Sequence, residues 1–204
     1  TAGSELDRFW RALKASPDAL SLGRTALFLT MMLVVSRHKP LPDKRHQLYR
    51  ECVNTLLKVR PEAWARDGVQ RSHEWWGAQD SEQRWKAVAK LAWQLQARGY
   101  AGASGGQRKA VVATAEEILG ALPSDWPRDR KQGFLLWLVG EAGLLADRAD
   151  NTFTFAHLSF QEYLTAWQIE ATVVDGNWAA PATEKIQSES WWETILLYAA
   201  LVGS

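Results

Sequence analysis

The chain has 204 residues, 47% of them hydrophobic and 23% charged, which is typical of a folded globular protein with one sizeable core or two small ones. Its 24 Lys and Arg residues nearly balance 23 Asp and Glu residues, which excludes a strong overall attraction to nucleic acid or to an anionic membrane. The single cysteine, Cys52, excludes an internal disulfide and indicates a reducing compartment, so we expect a cytoplasmic location. The most apolar stretch, 26–35, is too short to span a bilayer.

Three helices are predicted before residue 60. Ser4 is a candidate N-cap of the first, which ends at Pro17 and has an apolar stripe of Leu6, Phe9, Trp10 and Leu13. The nearly continuous apolar run over 20–35 is too long for one strand and predicts a single buried helix. Asp43 is the candidate cap of the third helix, whose inner face consists of Leu48, Cys52, Leu56 and Leu57. Cys52 is therefore expected in a core.

The segment 60–80 has little hydrophobic periodicity and contains Pro61 and Gly77, which is typical of a connection between domains. We therefore predict a first helical domain over 1–72, a linker over 73–80 and a second domain over 81–171. The remaining residues, 172–204, are interpreted as the start of a further helical domain.

Three helices are also predicted at the start of the second domain. The first begins at Ser81, ends at Arg98 and has an apolar face of Trp85, Val88, Leu91, Ala92 and Leu95. A glycine-rich turn over 102–106 precedes the second, which carries Val111, Val112, Ala115, Ile118 and Leu119. The third is marked by Phe134, Leu135, Trp137, Leu138 and Leu144.

Beyond the third helix the apolar period changes from helical to alternating. Phe153 and Phe155 alternate with two threonines after a polar turn over 147–151, and this pattern predicts a short β-hairpin. Ser159 and Glu162 have the spacing of a capping box for a helix that carries Phe160, Tyr163, Leu164 and Trp167. The apolar run 191–202 predicts one more helix. The predicted fold class is mainly α: a helical bundle followed by a winged-helix domain with a small β-hairpin.

No pattern for catalysis is present in the sequence. The glycine cluster 102–106 lacks the Gly-Lys-Ser/Thr spacing of a phosphate-binding loop, and it is interpreted as a plain loop. The residues that could hold a structural zinc ion are too widely spaced for a known motif: Cys52, His38, His46, His73 and His157. We therefore assign no catalytic residue and no metal ligand, and we expect no enzymatic activity from this chain alone.

Nucleic-acid binding is the alternative function, because a winged helix is a common nucleic-acid module. Basic residues cluster in the first domain, namely Arg37, Lys39, Lys44, Arg45 and Arg50. A DNA reader needs positive charge on its third helix and its wing. The wing carries Asp147, Arg148 and Asp150, and the third helix begins with Arg128, Arg130 and Lys131 before a long apolar run. A solvated charged rim explains these residues more simply.

The residues of 153–164, which read Phe-Thr-Phe-Ala-His-Leu-Ser-Phe-Gln-Glu-Tyr-Leu, closely resemble the phenylalanine, histidine and glutamine-glutamate-tyrosine signature in the winged-helix domain of NACHT proteins. The apolar segment 27–32, followed by Leu41, Pro42 and the pair Leu48 and Tyr49, is similar to the first helical domain of that family. The segment 191–201 is similar to the opening of its second helical domain. The resemblance covers nearly the whole chain.

This resemblance implies a piece of a signal-transduction ATPase that acts in innate immunity or in defence against phage. The expected partners are an N-terminal nucleotide-binding domain and a C-terminal sensor region of the same parent chain, with homo-oligomers forming on activation. The resemblance implies ADP or ATP with magnesium in the parent protein, and we expect none to bind this fragment tightly. In the resting family member the winged-helix domain folds back on bound ADP.

Two residues carry the site expectations of this resemblance. His157 matches the family histidine that contacts the β-phosphate of the nucleotide, and its place before a capped helix suits an anion. The bare sequence alone favours a core histidine that bonds a backbone carbonyl, and the resemblance reverses this preference. Ala26 stands where the family usually has the proline that packs near adenine, so adenine contact is not assigned.

Overall fold

A computed structural model describes residues 2–37, 39–59, 81–98, 110–173, 185 and 188–203. The chain divides into two compact units, Thr1–Val59 and Arg60–Ser204. The predicted connection over 60–80 and the glycine-rich turn over 102–106 lie outside the described residues. The domain limits at 72, 80 and 171 therefore stay predictions.

The first unit consists of helices. In chain order these are α1 (Ala2–Ala15), α2 (Pro17–Leu22), α3 (Ala26–Ser36) and α4 (Arg45–Asn54), which continues into one π-helical turn (Thr55–Val59). The single helix predicted over 20–35 is wrong, because the chain breaks between α2 and α3. There Thr25 is extended and its hydroxyl donates to the carbonyl of Leu22 at 3.1 Å, which satisfies the end of α2.

The N-cap predicted for the first helix is also wrong. Ser4 lies inside α1, which begins at Ala2. The end predicted at Pro17 is close to the observed one, because α1 ends at Ala15. Pro17 itself begins α2, since proline is favoured at the first helical position, where no backbone N–H is needed. Ser16 is the N-cap of α2, and its hydroxyl accepts from the N–H of Ala19 at 3.2 Å.

The start of α4 is held by α2 rather than by a cap at Asp43. The N–H of Arg45, the first residue of α4, donates to the carboxylate of Asp18 at 2.9 Å. The hydroxyl of Ser16 donates to the carbonyl of Asp43 at 3.0 Å. These two bonds join the beginnings of α2 and α4, so the predicted cap was placed on the wrong aspartate.

The core of the first unit contains Cys52, as predicted. The thiol side chain is 1% exposed, and burial raises its pKa to about 12. Phe28 and Tyr49 are also buried, and their rings meet edge to face with centroids 5.2 Å apart. Because the thiolate is the reactive form, this cysteine has a packing role.

The second unit confirms the predicted fold class. Its elements are α5 (Ser81–Arg98), β1 (Ala113–Thr114), α6 (Ala115–Ala121), α7 (Arg128–Gly140), β2 (Leu145–Asp147), β3 (Thr152–Phe155), α8 (Leu158–Thr172), a 3-10 turn (Glu189–Trp191) and α9 (Trp192–Val202). The helix from Ser81, the hairpin, the helix after it and the final helix were all predicted.

A three-stranded antiparallel sheet in the order β1-β3-β2 forms the wing. In the hairpin Leu145 pairs with Phe155, and Asp147 pairs with Phe153. Its turn has Asp150 and Asn151 at φ 56°, the left-handed conformation that a tight hairpin turn requires and that these two residue types tolerate. The central strand β3 is buried from Phe153 to Phe155.

Strand β1 was not predicted, because the second helix was expected to include Val111 and Val112. The helix α6 begins only at Ala115, and Thr114 is its N-cap. The hydroxyl of Thr114 accepts from the N–H of Glu117 at 3.3 Å, while the Glu117 carboxylate accepts from the N–H of Thr114 at 2.7 Å. This capping box ends the strand and begins the helix.

Aromatic contacts fix α8 against α5. The ring of Trp85 lies edge to face with Tyr163 at 6.5 Å and with Trp167 at 5.7 Å between centroids. In the same unit, Phe134 meets Trp126 at 5.3 Å and stacks with Trp137 at 5.6 Å between ring centroids. The helix that follows the wing is therefore held by bulky side chains.

Gly143 and Gly120 give opposite predictions for the same substitution. Gly143 has φ 66° in the turn from α7 to β2, so Gly143→Ala should lower the free energy of unfolding by about 1 kcal/mol. Gly120 lies on the exposed side of α6 with open space around its Cα, so Gly120→Ala should raise it by about 0.5 kcal/mol. Urea unfolding measures both, and effects of equal sign would contradict the assigned conformations.

His46 on α4 predicts a pH dependence of the first unit. Burial, together with the charges of Lys44 and Arg50, lowers the pKa of His46, against an opposing effect of Asp18. The folded state therefore disfavours the protonated ring, so stability is lost as the pH falls below the unfolded value of about 6.5. Urea unfolding at several pH values should show a weaker loss in His46→Gln. An identical loss in that variant would rule His46 out as the cause.

Candidate functional site

His157 lies at the junction of β3 and α8, as the sequence predicted. The N–H of Ala156 donates to the carbonyl of Leu144 at 2.9 Å, which extends the hairpin pairing to the residue before His157. His157 is the N-cap of α8, with φ −137° and ψ 127°, and its carbonyl accepts from the N–H of Phe160 at 3.1 Å. The backbone of His157 is thus fixed from the strand side and from the helix side.

The imidazole of His157 is half-buried. Its ring meets Phe160 at 6.2 Å between centroids with an angle of 66° between the planes, and Phe160 is fully buried. The His157 side chain makes no capping bond to α8. A half-buried ring differs from a fully buried core histidine, and part of its surface is accessible to a ligand.

The first turn of α8 adds the chemistry of an anion site. A helix presents backbone N–H groups and a partial positive charge at its N-terminus. The helix α8 has 15 residues, and His157 stands at this end of it. An imidazole beside helix amides can bind one oxygen of a phosphate group. Within the described ranges no group of three or more His, Cys, Asp or Glu residues could hold a metal ion.

The capping box predicted for Ser159 and Glu162 is wrong. Ser159 lies inside α8, and Glu162 is only 1% exposed. Glu162 therefore belongs to the interior of the unit, where a carboxylate is costly unless it is paired. Arg84 of α5 is equally buried, and its guanidinium lies 5.4 Å from the centre of the Trp137 ring.

A chain of hydrogen bonds between buried glutamine side chains was not predicted from the sequence. The side chain of Gln161 donates to the Gln96 oxygen at 2.6 Å. The Gln96 nitrogen lies 3.3 Å from the carbonyl of Ser190 and 3.4 Å from the hydroxyl of Thr194. We call these four residues the glutamine relay. It joins α5, α8 and the start of α9.

The sequence contains one signal of the relay. Gln161 lies within a run in which Phe160, Tyr163 and Leu164 predict a buried face. A polar residue between such neighbours needs a partner inside the protein. The partner itself, Gln96, is 65 positions away in the sequence, and no spacing pattern points to it.

Two basic residues of the surface that a nucleic-acid reader would use contact other protein groups. Arg128 of α7 pairs with Glu116, and the guanidinium of Arg130 lies 4.4 Å from the centre of the Trp126 ring. Farther along α7, Leu136 is 63% exposed. In the first unit, Lys39 pairs with Glu51. Protein groups therefore already engage several of the basic residues that the alternative function would use.

Ala26 is the first residue of α3. That is a helical position at which proline is also favoured, so the helix start is compatible with the family residue that Ala26 replaces.

One family matches the chain by sequence. Its description is "Winged helix-turn-helix domain C-terminal to NACHT", and the match covers residues 45–169, which is more than half of the chain. It runs from the first residue of α4 to the last turn of α8 and so includes part of each compact unit. No curated protein and no solved structure matches the chain. None of the helices that the structure describes has the length and hydropathy needed to cross a membrane.

Proposed function

Because the chain belongs to the family of winged helix-turn-helix domains C-terminal to NACHT, we propose that it acts as the nucleotide-sensing latch of a NACHT-type signal-transduction ATPase. The observation that carries this proposal is the position of His157 at the N-terminus of α8, half-buried and fixed by β3. In this proposal the imidazole contacts the β-phosphate of ADP held by the N-terminal nucleotide-binding domain.

The rigidity of the junction makes such a contact a switch. His157 is continuous with a paired strand and with a helix packed on α5, so it moves only when the winged-helix domain moves. Closing the domain on the nucleotide brings His157 to the phosphate, and opening withdraws it. A contact made only in the closed state stabilises that state by its own free energy.

The remaining chemistry belongs to the parent chain. We place phosphate-loop binding, magnesium and ATP hydrolysis in the N-terminal domain, because the sequence of this chain contains no phosphate loop. The C-terminal sensor region would supply the trigger, and the released latch would permit homo-oligomers to form in innate immune or anti-phage signalling in the cytoplasm.

We expect His157→Ala in the parent protein to release ADP about 10- to 100-fold faster. A charge-assisted contact with a phosphate contributes roughly 1.5 to 3 kcal/mol, and its loss shifts the equilibrium toward the open state by that factor. ADP dissociation measured by stopped flow, beside signalling without a trigger, reports the shift. Ser159→Ala, at a half-buried residue in the same turn, is the matched control and should leave ADP release unchanged.

The melting temperature of the 204-residue chain separates contact from packing. If His157 contacts nucleotide, the melting temperature of His157→Ala should be close to that of the natural 204-residue chain. A large loss of melting temperature together with unchanged ADP release would make His157 a packing residue and remove the basis of the latch.

The winged helix-turn-helix topology itself supports nucleic-acid binding as the second candidate function. A nucleic-acid reader would bind duplex DNA with an affinity that falls steeply as salt rises. We expect the chain to show no such binding by fluorescence anisotropy at low salt, because Arg128 and Arg130 are engaged within the protein. Salt-dependent binding that Arg128→Ala weakens would favour the alternative.

A further inference from the structure

Three of the four residues of the glutamine relay are completely buried, and the fourth, Ser190, is half-buried. Gln96, Gln161 and Thr194 each have 0% exposure. Burying an amide costs free energy unless its hydrogen bonds are replaced. The relay replaces three of these hydrogen bonds: one from α8 to α5 at 2.6 Å, and two from α5 to Ser190 and Thr194 at the start of α9, at 3.3 and 3.4 Å. The side-chain oxygen of Gln161 is buried without a hydrogen-bond partner among the residues that the structure describes.

The relay has a fixed direction, which the carbonyl of Ser190 imposes. A backbone carbonyl only accepts, so Gln96 must present its NH2 group to Ser190. The oxygen of Gln96 then faces Gln161, which must present its own NH2 group. Neither amide can be rotated by half a turn without placing two acceptors against each other. The relay therefore accepts one register of the three helices.

We propose that Gln161 is a positioning residue which, through Gln96, fixes α9 on α8 and makes the two helices move as one body. Apolar contacts between helices tolerate small shifts, whereas a shift of α9 would leave the buried amide of Gln96 without its acceptors. His157 lies four positions before Gln161, about one helical turn away. A displacement of α9 thus reaches the junction at His157, whatever that histidine contacts.

Gln161→Glu tests the direction of the relay in the whole chain. A carboxylate at this position would face the oxygen of Gln96, two acceptors together, and the unfolding equilibrium constant should rise about 10- to 100-fold at neutral pH. A protonated carboxyl has the shape of the amide and can donate its O–H to that oxygen. The loss of stability of Gln161→Glu relative to the natural sequence should therefore diminish as the pH falls.

The sign of this pH effect follows from the unfavourable charge. The folded state disfavours the carboxylate and raises the pKa of the introduced carboxyl above its unfolded value of about 4.3. The difference in the free energy of unfolding between Gln161→Glu and the natural sequence is greatest above the raised pKa, and it should become small as the pH approaches about 4.3. Gln168→Glu, at a half-buried residue of the same helix, is the matched control. We expect its effect to stay within about twofold at every pH.

Hydrogen exchange at neutral pH gives the positional readout. In Gln161→Glu the amides of 192–202 should exchange faster, while those of β2 should keep their protection. A destabilisation that does not depend on pH, or unchanged protection of 192–202, would overturn the proposal.

The double variant Gln96→Met with Gln161→Met covers the case in which the single variant does not fold. Replacing both partners by apolar side chains of similar length leaves no unmatched side-chain amide, so the chain should fold. It should still lose protection over 192–202, because neither methionine can donate to Ser190 or Thr194. Protection equal to that of the natural sequence would show that apolar packing alone positions α9, and the proposal would fail.

Discussion

The burial of α8 on nearly all sides is the constraint on which the second unit depends. Every residue from Phe160 to Ala166 is buried, including the polar Gln161 and Glu162. A helix buried all round needs neighbours on several faces, and α5, α9 and β3 provide them. Full burial of a side chain such as Leu164 contributes about 1.5 to 3 kcal/mol. Removing any one of these neighbours would expose several such side chains and would therefore cost a large part of the stability of the unit.

The same constraint explains why the junction at His157 is stiff. A helix enclosed in this way cannot slide or rotate without breaking aromatic contacts such as those of Trp85. Its first residue follows a strand that is itself central in the sheet. The chemistry at the junction is local, an imidazole beside helix amides, whereas its position is set by contacts spread over the unit. A side chain held on rigid elements in this way keeps one position relative to the rest of the unit, which suits a group that must make a specific contact.

Local patterns predicted much of this fold. Alternation around Phe153 and Phe155 predicted the hairpin, and helical spacing after Ser81 predicted α5. The apolar run over 20–35 has no period, so the break at Thr25 could not be located from it. Strand β1 has only two residues and depends on pairing with β3, although Thr114 and Glu117 carry a capping signal that was overlooked. His157 was proposed as a site residue through resemblance, whereas the relay was missed because its hydrogen bonds join distant parts of the chain.

The separation of the relay residues has a consequence for synthesis. Gln96 and Thr194 are 98 positions apart, and Gln96 and Gln161 are 65 apart. While the polypeptide leaves the ribosome, α5 and α8 emerge before the acceptors at Ser190 and Thr194 exist outside the tunnel. The nascent intermediate therefore carries an amide with no native acceptor, and its free energy falls only when α9 docks. The helix α9 thus completes an interior of which α5, made about 100 residues earlier, already forms a part.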